Sequence, residues 1–168
     1  MTYDLSELSV LVVDDDVFVL KMMRSLLNGF GIVKVRTVGN SVMALSELES
    51  EGADIVFVDW DMSPENGIEF TKMLRLGDYS PDRYVPIIIM TGHTERSLVL
   101  SARDAGVNEF LAKPMTVRSL YQRIMSVIER PRPFVRSPDY FGPDRRRITD
   151  PNYKGPDRRA SSDELVDI

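Results

Sequence analysis

The amino-acid sequence predicts an α/β domain built on a parallel sheet covered on both faces, followed by an extended C-terminal tail. Short apolar runs alternate with longer amphipathic stretches five times over residues 1–130. Three of the runs are apolar throughout, and after Arg130 the composition shifts abruptly to a segment rich in proline and arginine. Strict alternation implies parallel strands joined by right-handed crossovers, and apolar-throughout runs suit strands buried on both sides.

The runs SVLVV (9–13), IVKVRT (32–37), DIVFV (54–58), VPIIIM (85–90) and EFLA (109–112) are β-branched or bulky and of strand length. Between them, residues 17–28, 40–51, 67–76, 95–105 and 117–129 carry apolar side chains at helical spacing. In the last of these the stripe is Val117, Leu120, Ile124, Val127 and Ile128. Gly29, Gly52 and Gly106 follow three helices, where a left-handed residue is wanted, and Thr116 stands at the N-cap of the fifth.

The chain has 168 residues, enough for one domain with an appendage. It has no cysteine and one histidine, which excludes disulfides, thiolate metal sites and His-rich clusters and leaves oxygen as the ligand for any metal. No run is long enough to span a membrane, and the start MTYDLSE lacks a signal-peptide layout, so a soluble, cytoplasmic protein is expected. Residues 1–130 carry 13 Lys and Arg against 19 Asp and Glu, a net −6, while residues 131–168 carry 8 against 7. An acidic domain thus bears a locally basic strap.

Four apolar runs stop at polar residues: VLVV at Asp14, Asp15 and Asp16, IVFV at Asp59, PIIIM at Thr91, and FLA at Lys113. In a parallel sheet these converge on one edge, the edge where such folds place their ligand site. Asp14, Asp15 and Asp59 would then share a pocket, where mutual repulsion calls for a cation. An open set of oxygen ligands suits Mg²⁺. Lys113 adds a compact positive charge for phosphate oxygens and Thr91 a hydroxyl donor. The set reads as a phosphoryl acceptor with its own electrostatic clamp.

With VLVVDDD, DIVFVDWDMSPENG, PIIIMTG and NEFLAKP in this order, residues 5–130 resemble the receiver domain of two-component response regulators. The resemblance implies a flavodoxin-like (βα)5 sheet of strand order 2-1-3-4-5, with Asp59 as phosphoacceptor. It implies Mg²⁺ held by Asp15 and Asp59 with Asp14 assisting and Asp61 contributing its backbone carbonyl. Thr91 and Lys113 would bind the phosphoryl group, and Thr91 with Phe110 would form the switch. The implied partner is a sensor histidine kinase or a histidine phosphotransfer protein, with slow self-catalysed phosphorylation and dephosphorylation at most. Lys113-Pro114 matches a peptide bond that is cis in this family. Asp61 and His93 flank the acceptor and Thr91 by two residues, where the family tunes water access. The chain departs from the family at Ser63-Pro64, where the proline is displaced by one residue. It departs again at GDYSPDRY (77–84), which reads as a tolerated surface insertion, with a kinase contact as the alternative. The competing function is a haloacid-dehalogenase-like phosphohydrolase using Asp14 in Asp14-x-Asp16, a motif that Val17-Phe18 fits poorly.

The tail, residues 131–168, repeats itself: Tyr140-Phe-Gly-Pro-Asp-Arg145-Arg146 returns as Tyr153-Lys-Gly-Pro-Asp-Arg158-Arg159. In each unit Gly-Pro-Asp signals a turn, the tyrosine offers an anchor and the arginines offer forked donors. These six residues are the candidate partner-binding set, docking in cis or on the acidic surface of a partner protein; in the competing reading Arg145, Arg146, Arg147, Arg158 and Arg159 bind nucleic acid or anionic lipid, and a homodimer is a separate alternative. Asp144 and Asp157 within the repeats weigh against nucleic acid. Such proline and charge content also suits disorder.

Overall fold

The computed structural model of the chain describes residues 3–146 and 164–166. The alternation appears as β1 (Ser9–Val13), α1 (Val17–Gly29), β2 (Lys34–Val38), α2 (Ser41–Glu51), β3 (Ile55–Asp59), α3 (Gly67–Leu76), β4 (Ile87–Thr91), α4 (Arg96–Ala105), β5 (Glu109–Ala112) and α5 (Val117–Glu129). All four ladders of the main sheet are parallel, and the strand order is β2-β1-β3-β4-β5, the flavodoxin-like order.

Alternation along each strand divides the core in two. Val10, Val12, Phe57, Ile88 and Met90 pack with Met23 and Leu27 of α1 and Leu120 and Ile124 of α5. Leu11, Val13, Val56, Val58 and Ile89 pack with residues of α2, α3 and α4. Every residue of β3 and β4 is buried, so these runs lack the polar alternation of a one-sided sheet.

Helix starts follow side-chain chemistry. Asp16 accepts from the Phe18 amide, Asn40 from Met43, and Asn66 forms a capping box with Glu69 on α3. Thr116 caps α5 as expected, its hydroxyl accepting from the Ser119 amide at 3.0 Å. The glycine expectation needs one correction. Gly29 ends α1 in helical conformation, and the positive φ of +86° falls on Gly31, because the chain makes a further turn at Phe30 first. That turn also delays β2 to residue 34.

The tail contains more structure than an extended strap. β6 (Phe134–Ser137) pairs antiparallel with β7 (Tyr140–Pro143) and, on its other edge, with β8 (Glu164–Val166). The β6–β7 hairpin packs on α3 and α4 through aromatic rings. Tyr84, Phe134 and Phe141 lie with centroids 5.2–5.5 Å apart in pairs. The 77–84 loop is therefore the hairpin's seat rather than an idle insertion, and Tyr84 is the residue that makes it so.

Beneath the rings lies Arg75 of α3, which is fully buried. Its guanidinium donates to the carbonyls of Gly106 (3.1 Å), Arg83 (2.7 Å) and Val85 (2.9 Å) and to Asn108 Oδ1 (3.0 Å), and it stands 5.1 Å from the Phe134 ring centroid. Burial pushes its pKa down to about 10, with Tyr140 and Asp82 opposing, so it stays charged at neutral pH. At Gly106 and Gly142 the two backbones meet: a Cβ on Gly142 would sit 2.8 Å from the Gly106 Cα. Only glycine allows that approach.

Candidate functional site

The parallel sheet delivers the polar strand ends to one edge. Asp14 and Asp15 follow β1, Asp59 ends β3, Thr91 ends β4 and Lys113 follows β5. Asp59 stands opposite Met90, and Thr91 opposite Ala112. Asp14 and Asp59 are buried, at 1% and 5% exposure, whereas Asp15 faces solvent. One carboxylate oxygen of each lies within 4.8 Å of the others. Lys113 Nζ reaches between them, donating to Asp59 Oδ1 at 2.6 Å and to Asp14 Oδ2 at 3.2 Å. The other Asp14 oxygen accepts from the Asp16 amide at 2.8 Å.

Burial pushes the Asp14 carboxyl above the usual carboxylate range, and the Asp59 charge adds to the push against the Asp16 amide and Lys113. Burial alone would lower Lys113. The hydrogen bond and charge of Asp59, joined by those of Asp14, outweigh it and hold the ammonium above its ordinary value. Two buried carboxylates and one exposed one facing a single ammonium leave the pocket negatively charged. An all-oxygen donor set of this kind, open on the Asp15 side, fits a small hard divalent cation.

The sign for stability follows from Asp14. Its folded pKa lies above the ordinary 3.8, so the folded state binds that proton more tightly and gains stability as pH falls through the folded value. At neutral pH the ionised Asp14 is a liability. Asp14→Asn is therefore expected to raise the thermal midpoint in chelator-treated buffer at pH 7, and the gain should shrink toward pH 4. A lower midpoint at pH 7 would show that the Lys113 contact outweighs the burial of the charge.

The surrounding loops hold the pocket in place. Gly67 opens α3 directly on the Asp59 carbonyl, where a Cβ would come within 2.5 Å of the oxygen. The Gly67 amide donates to the Trp60 carbonyl at 3.0 Å. Ser41 at the start of α2 donates to Glu65, fastening the loop after Asp59. Neither Gly67 nor Ser41 was a sequence candidate, though Asn66-Gly67 ahead of an apolar stripe was a readable signal. Both Ser63-Pro64 and Lys113-Pro114 are cis.

The Asp61 side chain turns away to His93, whose Nε2 lies 2.9 Å from Asp61 Oδ2, and the His93 ring is 6.2 Å from that of Trp60. Thr91 Oγ1 accepts from the His93 amide at 2.9 Å. Phe110 is half-buried against the core on the α2–α4 face. Asp16 uses its carboxylate to cap α1, so the Asp14-x-Asp16 pair is not presented as a nucleophile with its acid partner. The phosphohydrolase alternative finds no support.

The candidates in the tail lie elsewhere. Tyr140 is 6% exposed, with its hydroxyl donating to the Pro143 carbonyl at 2.7 Å and the Arg145 guanidinium 4.5 Å over its ring. Arg145 also reaches Asp104 of α4 at 3.2 Å, and the Arg146 amide donates to Asp144 at 3.0 Å. This first repeat docks in cis beside Gly106, at the opposite end of β5 from Lys113. Tyr153, Arg158 and Arg159 lie outside the described residues. Among the described residues no helix is long and apolar enough to cross a membrane.

Comparison with known proteins agrees with the geometry. The response regulator receiver domain family model matches residues 10–125. The chain is 27% identical to the chemotaxis protein CheY-3 of Vibrio cholerae over 123 residues, 73% of this chain and 93% of that protein. It is also 27% identical to the chemotaxis protein CheY of Pseudomonas aeruginosa, with 73% and 98% covered. The crystal structure of a putative response regulator from Chloroflexus aurantiacus superposes with a TM-score of 0.66 at 27% identity, covering 73% of this chain and 98% of that one. A receiver domain of a sensor histidine kinase from P. aeruginosa, solved with a magnesium ion coordinated in its active-site cleft, superposes with a TM-score of 0.61 at 26% identity. It covers 71% of this chain and 94% of that domain.

Proposed function

This chain belongs to the response regulator receiver domain family, and on that premise we propose that Asp59 is the residue through which it works as a phosphoacceptor switch. The observation that carries the assignment is Asp59 itself, a buried carboxylate at a strand end, 2.6 Å from the Lys113 ammonium and within reach of Asp14 and Asp15. A receiver domain is a signalling protein whose partner is a histidine kinase or histidine phosphotransfer protein. Self-catalysed phosphorylation and dephosphorylation here are slow.

In the transfer, an Asp59 oxygen attacks the phosphorus of a partner phosphohistidine in line. The P–N bond breaks as the P–O bond forms, and the imidazole leaves with a proton from solvent. Lys113 moves from the Asp59 oxygen to a phosphoryl oxygen, keeping one ammonium against the charge of the acyl phosphate. The Thr91 hydroxyl donates to a second phosphoryl oxygen, which loosens its contact with the His93 amide and frees the loop after β4. Phe110 is packed on the same face as α4 and reports that change to the surface. Asp15 and Asp59 would hold Mg²⁺, with Asp14 and the Asp61 carbonyl assisting, and a bound ion would supply positive charge to offset that of the transferred group. The exposed Asp61–His93 pair, two residues beyond Asp59 and Thr91, is where the approach of water to the acyl phosphate would be tuned.

Trp60, the only tryptophan, adjoins Asp59 and so reports on the pocket without a label. Its emission is expected to change saturably with Mg²⁺ and again with beryllium fluoride, the second step requiring the first. Asp15→Asn should weaken the Mg²⁺ midpoint by about tenfold, because one ligand charge is lost from a site with few protein ligands. Beryllium fluoride should leave Asp59→Ala unchanged. A flat response in a folded protein would count against a shared pocket.

A further inference from the structure

Ser41 is 1% exposed and opens α2 with a hydroxyl that the helix does not need. Asn40 already caps that helix, its side chain accepting from the Met43 amide at 2.9 Å. The Ser41 hydroxyl donates instead to Glu65 Oε2, 24 residues further on, in the loop between β3 and α3. A hydrogen bond to a carboxylate is of the stronger, charge-assisted kind. The first turn of α2 holds no acidic residue of its own, so half-buried Glu65 supplies from outside the negative charge that a helix N-terminus favours. The topology makes the contact possible: β2 and β3 flank β1, with Val38 and Val58 both opposite Val13, so the start of α2 and the loop after β3 emerge side by side at the pocket edge.

Residues 60–66 lead from Asp59 to α3 and are fixed at intervals. The Trp60 amide donates to the Met90 carbonyl, and the Trp60 carbonyl accepts from the Gly67 amide. Met62 is buried in the core, and Asn66 closes its capping box with Glu69. Between those points Ser63 and Pro64 are exposed, and Glu65 is the tether that joins the loop to α2. We propose that Ser41 is a positioning residue for the metal pocket, holding the loop through Glu65 in the course that presents the Asp61 carbonyl beside Asp59. Ser41 has this role only if Asp59 is the phosphoacceptor and the Asp61 carbonyl assists at its metal site. It touches none of the reacting atoms. A backbone carbonyl has no rotamer of its own to re-aim it, so its direction is set by the contacts that fix the chain on either side.

Trp60 emission reads Mg²⁺ binding in the full-length chain without a phosphodonor. Ser41→Ala is expected to weaken the Mg²⁺ midpoint at least about threefold, a fraction of the roughly 10–100-fold that a contact made directly to a metal ligand is worth. Glu65→Ala should match it, and Glu65→Gln should stay within about twofold of wild type because the amide oxygen still accepts. The double variant Ser41→Ala with Glu65→Ala should be no weaker than either alone, since both remove one and the same contact. Ile124→Val in the core beside α5 lowers stability without touching the loop and should leave the midpoint unchanged. A shift below about threefold in Ser41→Ala, additive losses in the double variant, a full loss in Glu65→Gln, or an equal shift in Ile124→Val would overturn the proposal. A wild-type chain that does not respond to Mg²⁺ would overturn it together with the shared pocket, whereas a saturating wild type beside an unmoved Ser41→Ala overturns the role of Ser41 alone.

Discussion

Asp59→Asn is expected to reduce phosphoryl uptake from a cognate kinase by more than about a hundredfold, because the substitution removes the nucleophilic oxygen and almost nothing else. The asparagine carbonyl can still accept from Lys113 Nζ where Asp59 Oδ1 does at 2.6 Å. Its volume suits the buried strand end, and the Trp60 and Gly67 backbone contacts do not involve the side chain. The far-UV spectrum and a two-state unfolding transition should therefore persist. Uptake at the wild-type rate in a folded Asp59→Asn protein would mean that another carboxylate accepts the group.

The pocket was legible because it is local in the sequence. Each of its members directly ends an apolar run, and a parallel sheet turns that one-dimensional position into a shared edge. The sheet was legible for a related reason, since the doubly buried strands Ile55–Asp59 and Ile87–Thr91 are apolar at every position but the last. Boundaries shifted where chain geometry intervenes, as at Gly31, whose role the sequence suggested for Gly29. The hairpin was not legible. Its seat needs Tyr84 against Phe134 and Phe141, and Gly106 against Gly142, contacts between residues 36 to 57 positions apart with no local signature. Arg75 was hidden for the opposite reason: in the helical pattern MLRL, an arginine reads as solvent-facing, and only the fold shows four acceptors waiting for it.

Arg75→Ala is expected to destabilise the protein by about 3–5 kcal/mol, since it strands buried acceptors that each cost roughly 1–3 kcal/mol when left without a donor. Gly106, Arg83 and Val85 lose the donor to their carbonyls, while Asn108 Oδ1 keeps the Ile87 amide at 3.0 Å. Relief of the buried charge offsets part of this, which holds the figure below the simple sum. The loss would consume a large share of the 5–15 kcal/mol, roughly, that a domain possesses. Urea unfolding should show a lower midpoint, and the β6–β7 hairpin should become sensitive to trypsin at Arg136. A change below about 1 kcal/mol would indicate that water reaches these carbonyls and that Arg75 does not secure the hairpin.

The identity of the phosphoacceptor can be read directly by trapping the acyl phosphate with borohydride, which reduces a phosphorylated aspartate to homoserine, and locating the converted residue by peptide mass spectrometry. Homoserine is expected at position 59 of the phosphorylated chain, in a yield that follows the extent of phosphorylation. Conversion at Asp14, Asp15 or Asp61 instead, or label without any reducible aspartate, would contradict it.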